Sequence, residues 1–306
     1  MGPSSFGLSM VEDFALVLKQ QQLEELQEIS QYMNAVPNFH IYMIVRRPRI
    51  IFDSVSINNK YIIGKFKIQN KDTYESLDFQ YEHHFKEKNL SIECEYPYDQ
   101  LYVINQNGRK IFGGYASLIL QELNSKSGLY QDNSEVIYIG QSFGTDGNRT
   151  APTRLINHST LQKIYSENTP DRDIWITLWS FTRNELMFLS PNEDGNHSLF
   201  IKYLNYIHTR YEKISTQQEI NFTEAALIRY FQPKYNDKFK YTFPSKSHST
   251  YSQCYTLGLD YVAVEIDTKR LNMNVWSETK PTKQFKHNIM FSLNNKQEIK
   301  DFFRIK

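Results

Sequence analysis

The stretch Glu135-Val136-Ile137-Tyr138-Ile139-Gly140-Gln141-Ser142 decides how the chain is read. Its β-branched run predicts a central strand, because such side chains suit a pleated, packed surface. Gly140 is where that strand is expected to end and the backbone to turn closely. Downstream, Thr150-Ala151-Pro152-Thr153-Arg154-Leu155-Ile156-Asn157-His158 predicts a helix. Pro152 suits its first turn, and Thr150 or Thr153 can cap its free amides. Arg154 and His158 then lie one turn apart on one face, while Leu155, Leu161 and Ile164 anchor another to the sheet. A third piece runs from Asn221 to Asn236. Glu224 opens a short helix whose Leu227, Ile228 and Phe231 face the core, and Pro233 stops it. Singly each piece is ordinary: a solvated Arg and His on a helix, or an acid beside a helix dipole, needs no function.

Upstream, residues 9–34 read as a helix capped by Ser9, with Phe14, Leu16, Leu18, Leu23 and Leu26 as its apolar positions. Between about 40 and 113 the pattern turns to period two, with turns at Asn58-Asn59 and Asn107-Gly108, as in an antiparallel β unit. His83-His84 falls inside it, and neighbouring strand residues point to opposite faces, so the pair is ill suited to one metal. A short helix follows over 114–124. The segment from 184 to 214 reads as an insertion, with Asn205, His208 and Arg210 on a helix. Beyond 245, Tyr261–Ile266 and Asn288–Leu293 read as strands and Lys296–Phe303 as a closing helix. The chain thus divides into an N-terminal helix (1–37), an antiparallel β domain (38–113), a central domain (114–245) and a C-terminal β-rich extension (246–306).

The 21 Tyr and 20 Phe bring aromatics to 14% of the 306 residues, which favours β-structure with half-buried rings. Charge is balanced, 35 basic against 34 acidic, so any polyanion would be met by a local basic field rather than by net charge. Such fields exist: Arg229, Lys234, Lys238, Lys240 and Lys246 lie near one acid, Asp237. Two distant cysteines, Cys94 and Cys254, form no zinc-type spacing and no disulfide framework, which fits a reducing cytoplasm. No stretch has the ~18 consecutive apolar residues of a membrane span.

Taken in order, Val136-Ile137-Tyr138-Ile139-Gly140, Arg154 with His158, Glu224 in Glu-Ala-Ala-Leu-Ile, and Pro233-Lys234-Tyr235-Asn236 resemble the GIY-YIG nuclease superfamily over roughly residues 128–240. The resemblance implies an α+β fold: a small mixed or antiparallel sheet flanked by helices, between the N-terminal β region and the C-terminal extension. It implies a divalent-metal-dependent endonuclease acting on phosphodiester bonds, most naturally of double-stranded DNA. Glu224 would hold Mg²⁺ or Mn²⁺, Arg154 the scissile phosphate, and Tyr138 the attacking water with help from His158. Asn236 would tie the Glu224 helix to the site. Lys163 and Arg149 are further candidates for phosphate contact, although the loop carrying Arg149 also reads as plain surface. The superfamily's first strand, Gly-Ile-Tyr, pairs with the second through a hairpin. Gly128-Leu129-Tyr130 is the literal match and Leu101-Tyr102-Val103-Ile104 the better strand, so Tyr130 or Tyr102 would supply the first tyrosine. A cytoplasmic restriction or phage-defence setting would suit the flanking regions, with a homo-oligomer or a defence partner protein. Two other readings stay open: a nucleic-acid-binding module that does not cut, and a regulatory subunit that binds a partner protein.

Overall fold

The computed structural model describes residues 7–32, 38–127, 130–143, 154–155, 158–184, 205, 208–209, 211–244 and 258–293. Within them the chain runs β1 (Gly7–Leu18), α1 (Gln22–Tyr32), β2 (Ile41–Pro48), β3 (Ile50–Ile57), β4 (Tyr61–Asn70) and β5 (Thr73–Glu82). It continues through β6 (Ser91–Glu93), β7 (Gln100–Ile104), β8 (Lys110–Tyr115), α2 (Ala116–Ser127), β9 (Asp132–Gln141), α3 (Ser159–Ser166) and β10 (Arg172–Arg183). Last come α4 (Thr216–Phe231), β11 (Tyr261–Asp267), β12 (Met273–Ser277), β13 (Lys280–Gln284) and β14 (Lys286–Ser292).

Eight strands form one sheet in the order β13-β12-β9-β2-β10-β1-β11-β14. Its two edge strands, β13 and β14, are consecutive in the chain and separated by Phe285 alone. One residue spans only about 3.5 Å, so the two edges must meet and the sheet must curl into a nearly closed barrel. His287 sits at that seam, its Nε2 3.1 Å from the Val275 carbonyl of β12 and 3.2 Å from the Gln284 carbonyl of β13. This corrects the expected small sheet flanked by helices: strands make up 48% of the structure and helices 21%. The C-terminal strands are part of this sheet, β11 running parallel to β1 and β12 parallel to β9.

The N-terminal helix expected over 9–34 is likewise corrected. Phe14, Leu16 and Leu18 alternate with period two, and β1 pairs with β10 from Leu18 to Met10; only 22–32 is helical. Strands β3-β4-β5 and β6-β7-β8 form two three-stranded sheets that share a core with α2. They are inserted between β2 and β9, which are neighbours in the main sheet.

Helix α4 lies within the curve of the sheet. Ser215 caps it and shares a capping box with Gln218, and Gln232 ends it in the left-handed region at φ 47°. Phe222, Ala225, Ala226, Leu227 and Phe231 are wholly buried against Met43, Val45, Ile139, Val262 and Val275. Each large side chain of this set contributes roughly 1.5–3 kcal/mol by leaving water. The opposite face of β2, β9 and β10 (Tyr42, Ile44, Ile137, Ile176) is covered by Leu155 and by Leu161 and Ile164 of α3. Among the described residues no helix is long and apolar enough to cross a membrane.

Candidate active site

The candidate residues gather where β2 begins and β9 ends. Antiparallel pairing sets Tyr42 opposite Gly140 and Ile44 opposite Tyr138, so both tyrosines stand on the face covered by α3. A register shift beside Ile44 and Val45 leaves Ile137 unpaired, the kind of bulge that re-aims a side chain. Gly140 does not end the strand, as its sequence context suggested. The strand runs on to Gln141, and the glycine instead makes room for the Tyr42 ring: a β-carbon there would stand 2.4 Å from the Tyr42 hydroxyl.

Arg154 and His158 were expected on one helical face. Arg154 is helical, but His158 has extended geometry (φ −97°, ψ 109°) and is the N-cap of α3. The reason is local: its Nδ1 accepts the Leu161 amide proton at 3.2 Å, a capping bond that a residue inside a helix could not make. A ring whose Nδ1 accepts carries its proton on Nε2 when neutral. Nε2–H therefore donates to the Tyr42 hydroxyl, 3.0 Å away. Tyr42 in turn donates to Tyr138, and Thr160 gives Tyr138 a second hydrogen bond. Buried donors are thus lined up in one direction, from His158 through Tyr42 to Tyr138.

Burial pushes the phenols of both Tyr42 and Tyr138 above the ordinary tyrosine range. For Tyr138 the positive charge of Arg154 and the hydrogen bonds from Tyr42 and Thr160 act against burial, while Glu224 acts with it. Arg154 reaches the same place by donating from Nη1 to the Gln141 carbonyl. Glu224 arrives from α4 and is hydrogen bonded by the side chain and backbone of Gln141. Burial raises its carboxyl to about 7, against the pull of Arg154, those two hydrogen bonds and Lys238. Gln141 also donates to Asn221, one turn before Glu224, at 2.6 Å.

Asn236 closes the unit. Its Oδ1 accepts from the Ile139 amide and its Nδ2 donates to the Ile139 carbonyl, both at 2.8 Å. The Tyr235 amide donates to the Ile137 carbonyl at 3.0 Å, so the segment after α4 is pinned along β9. Lys163 stands apart on the exposed side of α3, 3.8 Å from Glu167 and 6.0 Å from the Tyr235 ring. Arg149, with Gly144, Gly147 and Arg210, lies outside the described residues.

Neither expected first tyrosine is among these groups. Tyr130 packs with the core of the inserted sheets, near Asp132 and Arg47, and Tyr102 lies under Lys110, whose Nζ is 3.5 Å from its ring centroid. The tyrosine that meets Tyr138 is Tyr42, their ring centroids 6.1 Å apart. Sequence reasoning missed it because His40-Ile41-Tyr42 lacks the glycine and is separated from β9 by the whole insertion. The available signal was the strand His40–Val45, which ends its first triplet in Ile-Tyr.

Among the described residues no group of three His, Cys, Asp or Glu side chains could hold a metal. Zn²⁺ takes three or four protein ligands and does not suit Glu224. A hard ion that keeps most of its water does, because it needs one desolvated carboxylate and can draw on substrate oxygens. No family model, no curated protein and no solved structure matches the chain.

Proposed function

We propose that this protein is a divalent-metal-dependent endonuclease of the GIY-YIG kind that hydrolyses phosphodiester bonds, with double-stranded DNA as the substrate. The observation that carries the reading is the meeting of Tyr138, Arg154, Glu224 and the His158–Tyr42 pair around one end of β9. Each group fits one demand of the reaction. The Arg154 guanidinium has five donors, of which one bond goes to Gln141, and the rest suit a phosphate. Lys238 adds positive charge on the Glu224 side. Glu224 would hold Mg²⁺ or Mn²⁺, which when bound neutralises charge on the phosphate and on the departing oxygen. Tyr138 accepts from Tyr42 and Thr160, so its own proton is left to donate to the attacking water or to a phosphate oxygen. Its role is to orient, through a hydrogen bond fixed before substrate arrives.

The test is cleavage of supercoiled plasmid with Mg²⁺ or Mn²⁺ by the wild type beside Glu224→Ala and Arg154→Ala. Metal-dependent nicking that both substitutions abolish supports the nuclease. Tight DNA binding without cleavage under either metal makes the chain a binding module, and neither binding nor cleavage returns it to the partner-binding class.

A further inference from the structure

We propose that His40 is the general base of this site, a role that rests on the nuclease reading above. The two residues Gln141 and Ser142 are the anchor of the whole arrangement: Arg154 and Glu224 bond to Gln141, and His40 bonds to Ser142 twice. The Ser142 amide donates to the His40 carbonyl at 2.7 Å, and the His40 ring meets the Ser142 carbonyl through Nδ1, also at 2.7 Å. A carbonyl only accepts, so Nδ1 carries the proton and Nε2 of the neutral ring presents a bare lone pair. The ring is held against Phe143, with centroids 5.3 Å apart, and is only partly buried. His40 precedes Tyr42 by two residues, and its pairing with Ser142 continues the ladder in which Tyr42 faces Gly140, so strand alternation sets His40 and Tyr42 on one face of the sheet.

The other groups are poorly placed to take a proton. Tyr42 and Tyr138 hold their protons more tightly than ordinary phenols. His158 has Nδ1 committed to the Leu161 amide and Nε2–H to Tyr42. Glu224 accepts two hydrogen bonds from Gln141 and is the group suited to the metal. That leaves the His40 Nε2 lone pair, which has no hydrogen-bond partner among the described residues. In the step, the water oxygen bonds to phosphorus as its proton passes to Nε2. The phosphorus–oxygen bond of the leaving group breaks, and that oxygen keeps the electron pair and is protonated by solvent. The imidazolium formed is stabilised by Nδ1–H donating to the Ser142 carbonyl, the usual way a backbone acceptor supports a catalytic histidine.

The test compares two substitutions of unlike shape in the full chain. His40→Asn keeps a donor where Nδ1 stands and removes the Nε2 lone pair; His40→Ala removes both and leaves space for free imidazole. On a linear duplex with Mg²⁺, His40→Asn is expected to lower kcat by about 100- to 10,000-fold. Its affinity for the same duplex, measured by fluorescence anisotropy with Ca²⁺ in place of Mg²⁺, is expected to stay within about twofold. Added imidazole should restore cleavage to His40→Ala and not to Glu224→Ala. A His40→Asn enzyme that cuts as fast as wild type, a rate loss explained by weaker binding, or no rescue of His40→Ala overturns the assignment while leaving the nuclease standing. Wild type that cuts under neither metal overturns both.

Discussion

The Tyr42 hydroxyl lies where the side chain of Gly140 would be, 2.4 Å from the position of a β-carbon, because register sets the two residues opposite each other on β2 and β9. Tyr42 is wholly buried, so its ring has nowhere to retreat. Gly140→Ala should therefore destabilise the fold by about 1–3 kcal/mol, the usual cost of overpacking. It should also break the bond from His158 to Tyr42. Urea unfolding checks the first effect and loss of cleavage the second; a variant as stable as wild type would show that the ring has room to move.

Tyr42→Phe tests which tyrosine partners Tyr138. It removes the acceptor of the His158 Nε2–H and the donor to Tyr138, leaving a buried polar group unpaired. A loss of about 1–3 kcal/mol of that kind corresponds to roughly 5- to 150-fold in cleavage rate if it is felt at the transition state. Tyr130→Phe and Tyr102→Phe should cut at the wild-type rate, since their rings belong to the inserted sheets. Equal loss from Tyr130→Phe would restore the literal sequence match as the functional one.

These two positions also mark what the sequence could and could not reveal. The β9 strand was legible because Val136, Ile137 and Ile139 are β-branched and interrupted only by Tyr138, itself a residue that suits strands. The C-terminal half of the α4 helix was legible because Leu227, Ile228 and Phe231 fall at helical spacing before Pro233, but Glu224, expected to open the helix, lies in its middle, because the helix starts at Thr216. The β1 strand was misread: Phe14, Leu16 and Leu18 alternate as a strand does, but the acidic pair Glu12-Asp13 and the glutamines beyond suggested a helix. Tyr42 was illegible for a different reason. Its pairing with β9 is long-range, formed across an insertion that supplies nearer and more literal tyrosines. Curling of the sheet was hidden too, because closure depends on which strands become edges and not on any local pattern.

Asn236 carries a prediction about positioning rather than chemistry. Its amide completes both hydrogen bonds of the Ile139 peptide, one residue from Tyr138. Asn236→Ala strands both groups in a buried setting and should cost about 1–3 kcal/mol. Asn236→Asp can still accept from the amide but turns an oxygen toward the Ile139 carbonyl, so it should be no less damaging than the alanine change. Thermal unfolding of the three proteins checks the order. Full stability of Asn236→Asp would mean that the second bond contributes nothing.

Glu224 gives the site a pH signature that runs against the usual behaviour of a carboxylate. Burial raises its carboxyl from 4.5 to about 7, with Arg154 the largest opposing influence. Between those two values the folded chain holds a proton that the unfolded chain has released, so acidification favours folding there. The contribution is complete below pH 4.5 and is lost as pH rises through about 7. Metal-free protein should accordingly lose stability from pH 4.5 to 7, by up to a few kcal/mol from this group, and Glu224→Gln should flatten that part of the profile. Metal binding must show the opposite sense, because the ion needs the carboxylate: affinity for Mn²⁺, followed by its paramagnetic resonance signal, should fall as pH drops through about 7. Removing the opposing charge with Arg154→Ala should move both breaks to higher pH. Identical pH profiles for wild type and Glu224→Gln would sink the claim that this carboxylate is strained by its burial.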